Sequence, residues 1–221
     1  MPAWCLQKLI PEKLKEMRYK NTLWLFLLFF ALTGFVLPAR LDNPAQIKKW
    51  VVSENSNLRV NGSTNINTFI CEIPSYDHTD TLVVNKSKGD KEIVLSGTIN
   101  LNVKSFDCHN SIMTHDLRKT LKQEQFPVLH ISFLSLNRLP DLVAKPESIT
   151  GFVYIEIAGV RKRFEVNYKI SQDAQKVIHL LGSRDVNFSD FNLTPPRKLG
   201  GMIKTNDKLS VDFHLRMKSM D

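Results

Sequence analysis

Beyond residue 50 the dominant hydrophobic period is two. Ile93, Leu95, Gly97, Ile99, Leu101 and Val103 fall on one face of an extended chain, and Val94, Ser96, Thr98, Asn100 and Asn102 on the other. Successive side chains of a strand point to opposite faces, so this alternation predicts a strand buried on one side. The pattern returns in Leu129, Ile131 and Phe133, then in Val153, Ile155 and Ile157. Phe164, Val166, Tyr168 and Ile170 repeat it, as do Val211, Phe213, Leu215 and Met217. Shorter candidates are residues 50–53, 57–62, 67–73, 81–84 and 177–187, and Gly159-Val160-Arg161 reads as a tight hairpin connection. One helical signal interrupts the series: Met113, Leu117 and Leu121 recur at spacing four, behind Asn110 or Ser111 as N-cap and ahead of Pro127. Residues 190–205, with Pro195-Pro196 and Gly200-Gly201, read as an irregular loop. About eight strands, one or two short helices and no internal repeat predict one all-β domain, a sandwich or an antiparallel barrel.

The N-terminal part has a different texture. Residues 21–39 carry no charge and follow a flank with Lys8, Lys13, Lys15, Arg18 and Lys20. A basic flank, an apolar core and a helix-breaking end have the form of a signal peptide, residues 1–39, cut near Ala39. A start at Met17 would give a compact leader, which leaves residues 1–16 as a mis-assigned beginning. The rival is an uncleaved anchor in the inner membrane, because this stretch approaches the ~20 residues that span a bilayer. Both place residues 40–221 outside the cytoplasm, periplasmic or secreted. The chain has 30 basic and 22 acidic residues, a net charge of +8. The leader takes five cations and two acids with it, so the remainder is only mildly basic and gives no reason to expect nucleic acid. Cys71 and Cys108 are the only cysteines after Cys5. An even count in an exported chain predicts a disulfide, against the alternative of two buried thiols.

The order of several blocks resembles the YceI-like family. These are Trp50-Val51-Val52, Arg59-Val60-Asn61-Gly62-Ser63-Thr64-Asn65, Met113-Thr114-His115-Asp116-Leu117, Phe126-Pro127-Val128-Leu129-His130-Ile131-Ser132-Phe133 and Ile149-Thr150-Gly151-Phe152-Val153, with Ala158-Gly159-Val160 and a terminal strand at 208–217. The resemblance spans residues 47–217. It implies a single lipocalin-like antiparallel β-barrel over residues 40–221, and an exported protein that encloses a polyisoprenoid, an isoprenoid quinone or a similar lipid. Cys71 and Cys108 look like the paired cysteines of a subgroup with Gly-Ser-Thr-Asn near its start. Many members carry a histidine near the end of the second strand, where this chain has Thr68-Phe69-Ile70-Cys71.

The inward candidates Ile99, Leu101, Ile131, Phe133, Val153, Ile155, Phe164 and Val166 would line such a cavity, or would fill a solid barrel with no small-molecule ligand. His115 and Asp116 read as polar residues on the exposed side of the short helix, with contact between His115 and a ligand's head group as the functional alternative. The six histidines have no tight ligand spacing, so no metal is expected. Asp107-Cys108-His109 is better explained by a disulfide than by a catalytic thiol. No nucleophile elbow, dinucleotide or phosphate-loop motif is present. The expectation is a non-enzymatic binding protein with no cofactor beyond a bound lipid. Arg161-Lys162-Arg163 reads as a solvated patch, with transient membrane-surface contact as its functional alternative.

Overall fold

The structure is a computed structural model that describes residues 46–86, 93–142 and 147–220. The signal-peptide reading of residues 1–39 lies outside these residues. The strands are β1 (Gln46–Val52), β2 (Asn57–Ser63), β3 (Thr68–Ile73), β4 (Thr81–Lys86), β5 (Ile93–Asn102), β6 (Val128–Leu136), β7 (Glu147–Ile157), β8 (Val160–Gln172), β9 (Ile178–Asn187), β10 (Arg197–Lys198), β11 (Ile203–Lys204) and β12 (Lys208–Met220). Among the described residues one α-helix, α1 (Ser111–Thr120), lies between β5 and β6.

Every pairing is antiparallel. The order β1-β4-β5-β6-β7-β8-β9-β12 closes on itself, because Lys49–Val52 pair with Met220–Met217. The result is an eight-stranded barrel in which closure leaves those strands no free edge. β12 is long enough to serve two partners on the edge away from β9. Its C-terminal part pairs with β1, and Ser210–His214 pair with β2, which carries β3 on its far side. β1 and β2 are thus two arms of one bent stretch. Ser53 N donates to Arg216 O at 2.8 Å, and Arg216 N donates to Ser56 Oγ at 2.9 Å, which fastens the bend to β12.

This arrangement leaves a split in the wall between β3 and the second half of β5, since β4 reaches β5 only at Val94–Ser96. Backbone groups at such an edge need other partners. Asn100 N donates to Tyr76 Oη at 3.1 Å and to Asp80 Oδ2 at 3.0 Å, and Tyr76 Oη donates to Asp80. Farther along, Glu72 and Asp107 exchange backbone hydrogen bonds of 2.7 and 2.9 Å. The Cys71–Cys108 disulfide clamps the same place. The predicted disulfide is therefore present, and it closes the wall.

The long alternations form strands as expected: along β8 buried positions from Phe164 to Ile170 alternate with exposed ones, and along β5 Ile93, Leu95, Ile99 and Leu101 are buried between exposed or half-buried positions, with a register shift between Val94 and Gly97. Asn110 caps α1, accepting from Met113 N at 3.1 Å. Two local expectations are corrected. The β7–β8 turn is Ala158-Gly159, not Gly159-Val160-Arg161. Both turn residues have positive φ, 51° and 77°, as a two-residue hairpin turn that matches strand twist requires. Residues 190–205 are also more ordered than a loop. A 3-10 turn (Phe188–Phe191) leads into a small β10–β11 hairpin whose tip is Leu199–Gly201. Pro44–Asp221 form one compact unit. The closed ladder and its core lie wholly within it, so this segment has what it needs to fold alone.

Candidate ligand cavity and its mouth

Side chains fill one end of the barrel. Trp50, Leu82, Leu95, Leu136, Ile149, Ile170, Ile178, Leu180 and Met217 are at most 1% exposed there. Above this packed layer stand three aromatic rings. Tyr168 lies 6.3 Å from Phe133 and 6.0 Å from Phe213, centroid to centroid. Gly182 makes room for Phe213, because a Cβ there would stand 2.1 Å from its ring. Tyr168 is fully buried, its hydroxyl has no hydrogen-bond partner among the described residues, and burial pushes its pKa up.

The other end is hollow. Next to the aromatic layer a small void of about 20 Å³ is walled by Leu58, Ile73, Tyr76, Ile99, Leu101, Ile131, Phe133, Phe213 and Leu215, with Ser56 and Asn57 as its polar lining residues. A second void of about 70 Å³ lies toward α1. Leu58 and Ile131 face both voids. Strand residues supply part of the second lining (Val60, Leu129, Ile155, Ile157, Val186, Leu209, Val211), and Phe106, Leu117, Leu121, Phe188, Phe191 and Leu193 close over it. Asn187 is its one polar wall residue.

A groove of about 260 Å³ opens beside the second void, between α1, the β2–β3 turn and the β10–β11 hairpin. Leu117 and Phe188 line both, so these two side chains are the partition between cavity and outside. Lys198 Nζ meets Asp116 Oδ2 at 2.6 Å across the groove. At the rim Lys162 Nζ meets Asp190 Oδ1 at 3.2 Å. Burial raises the Asp190 pKa, but hydrogen bonds from Asn187 N and Lys162 outweigh it and hold the carboxyl below its ordinary value.

The sequence-derived lining residues divide by level. Ile99, Leu101 and Phe133 wall the inner void, Ile131 both voids, and Ile155 the outer one. Val153 and Val166 are buried in the core and wall neither void, and Phe164 packs on Phe191 at 5.9 Å. His115 is exposed on the outer side of α1, in a polar surface crevice with Asp107, His109 and Arg118. The structure does not bring it to the cavity, because it lies half a turn around the helix from Leu117. Residues of the 3-10 turn and of β2 were missed as lining, although Phe188, Phe191 and Leu193 stand out as apolar among polar neighbours. Within Arg161-Lys162-Arg163 each cation has a partner: Arg161 lies 4.1 Å over Tyr154, Arg163 lies 3.7 Å over Phe152, and Lys162 pairs with Asp190. Among the described residues no group of three or more His, Cys, Asp or Glu is placed to hold a metal, and no helix is long and apolar enough to cross a membrane.

No family model and no curated protein matches the chain. Solved structures do. BcnA of Burkholderia cenocepacia is 15% identical, with 73% of this chain and 95% of that one covered at a TM-score of 0.54. A polyisoprenoid-binding domain from Saccharophagus degradans, implicated in plant cell wall breakdown, is 13% identical, with 77% and 98% covered at 0.52. A Campylobacter jejuni YCEI protein is 15% identical, with 63% and 80% covered at 0.46. The sequence blocks and the first two structures agree on one fold, the YceI-like, lipocalin-like closed β-barrel.

Proposed function

We propose that the protein binds a hydrophobic or amphiphilic small molecule, of the polyisoprenoid, isoprenoid-quinone or related lipid class, and carries or stores it without turnover. The observation that carries this reading is the contrast inside one barrel, with one end filled to the last side chain and the other left void, apolar and adjacent to an open groove. Each buried methylene contributes roughly 0.8 kcal/mol. Ten of them offset much of the ~4–15 kcal/mol cost of association. Leu117 and Phe188 would swing aside to admit the tail, and the head group would stay in the groove near Asn110, Asp116 and Lys198 rather than at His115. The disulfide supports placement outside the cytoplasm, periplasmic or secreted. The polyisoprenoid-binding neighbour supports the ligand class.

The test is mass spectrometry of an organic extract of residues 44–221, exported in a bacterial host and purified without detergent. A stoichiometric lipid is the expected result. An empty extract, together with failure to bind added quinones and polyprenols, would replace the carrier with an interaction module that acts through its surface.

A further inference from the structure

The groove mouth carries a feature that ligand enclosure does not require. Four large apolar side chains from three elements stand in solvent around it: Ile66 is 65% exposed, Ile112 64%, Leu199 66% and Met202 70%. They are held together. Asn65 Nδ2 donates to Met202 O at 2.9 Å and Lys204 N donates to Asn65 Oδ1 at 2.9 Å, which locks the β2–β3 turn to the β10–β11 hairpin. The Lys198–Asp116 pair ties the same hairpin to α1, and Ile66, Ile112 and Lys198 line one groove. Gly200 and Gly201 have positive φ and nothing within 4 Å of an added Cβ, so the hairpin tip projects into open space. The hairpin segment 196–205 contains Arg197, Lys198 and Lys204 and no acidic residue.

We propose that this tip is a membrane-docking surface, with Leu199 and Met202 entering the interfacial region of a bilayer and Arg197 and Lys204 meeting anionic lipid head groups. Apolar side chains flanked by exposed cations match the interface in both polarity and charge, the combination that holds peripheral proteins on anionic membranes. Lys198 is left out of the charge count because Asp116 neutralises it. Docking there would turn the groove toward the lipid. The proposal does not depend on what the cavity holds.

The experiment is vesicle co-sedimentation of residues 44–221 with phosphatidylcholine alone and with phosphatidylglycerol added. Binding is expected to need phosphatidylglycerol and to weaken as salt rises. Leu199→Ser with Met202→Ser should lower the partition coefficient roughly tenfold or more, the loss expected when two apolar side chains no longer leave water. Arg197→Gln with Lys204→Gln should lower it by about fivefold per cation. Met202→Trp should give a fluorophore quenched by brominated lipid tails. These side chains touch solvent, so circular dichroism should be unchanged. Equal binding to both vesicle types, or binding indifferent to the apolar pair, overturns the proposal. So does absence of vesicle binding with self-association lost in the apolar double variant, which would assign the patch to a second copy.

Discussion

The packed end and the hollow end of the barrel are built from the same strands, yet they treat their inward side chains differently. At the packed end Leu82, Leu95, Leu136, Ile178, Leu180 and Met217 are wholly buried. At the hollow end Leu58, Val60, Leu129 and Leu209 retain 6–8% exposure, and Ile131, Ile155, Val211 and Phe213 are only partly buried. The wall differs in the same way. At the packed end β1 and β4 complete the circuit of hydrogen bonds, whereas the hollow end relies on a two-residue bridge, a disulfide and a loop plug between β3 and β5. One end therefore supplies stability. The other is held open by local devices, and the low-stability openings that ligand entry needs should concentrate there.

The disulfide gives the largest way to break that contrast. It joins residues 37 apart, which corresponds to about 4 kcal/mol in the chain-entropy model. Replacing Cys71 and Cys108 by Ala should lower urea stability by about that amount. Amide exchange should also accelerate selectively in α1 and β3, while β8 and β9 change only with global stability. Uniform acceleration across the barrel would show that the two ends are not energetically separate.

A second pair of variants tests levels along neighbouring strands. Val153→Phe adds volume where no void exists and should destabilise by about 1–3 kcal/mol through overpacking. Ile131→Phe adds volume beside both voids. It should change stability by less than about 1 kcal/mol while reducing lipid uptake, read by mass spectrometry, at least tenfold. If the two substitutions cost the same stability and uptake survives, the hollow end is a packed end with imperfect filling.

These two residues also show how much was legible beforehand. Period two reports the face of a strand and nothing about height along the barrel axis. Ile131 and Val153 were therefore equivalent as sequence, although one lines a void and the other does not. The strands, the helix with its Asn110 cap and the cysteine pair follow from local chemistry: alternation, capping and cysteine count. The cavity does not, because part of its wall comes from α1, β2 and the 3-10 turn, which meet only after the barrel closes. The exposed side of the helix is legible for His115, because the face that buries Leu117 turns His115 outward, and the same rotation takes it away from any head group at the cavity.

The aromatic layer between the ends offers a smaller effect. Tyr168 buries a hydroxyl without a partner, a condition that costs more than the absence of the group. Tyr168→Phe should raise stability by about 1 kcal/mol in thermal or urea unfolding. A loss of stability instead would mean that the hydroxyl holds a buried water or a ligand oxygen, which would extend the functional cavity past Phe133 and Phe213.

The smallest expected effect lies on the outer face of the packed end. His179 Nε2 contacts Asp173 Oδ2 at 3.0 Å, and His179 Nδ1 contacts His214 Nε2 at 2.8 Å. Burial, then the neighbouring His179 and Arg216, hold the His214 pKa below its ordinary 6.5. Below that value the unfolded chain takes up a proton that the folded chain resists, so stability should fall with pH from about 6.5 downward and stay level above it. Asp173 is shifted in the same sense by its hydrogen bond to His179, and its contribution should be lost at lower pH still. His214→Gln should flatten the slope just below pH 6.5 in urea titrations while leaving lipid uptake unchanged. If the slope persists in that variant, it does not come from His214. Asp190, which pins the 3-10 turn through Asn187 N and Lys162 and is held below its ordinary value, should loosen the hollow end only below about pH 4, and any lipid release it controls should appear there rather than near pH 6.5.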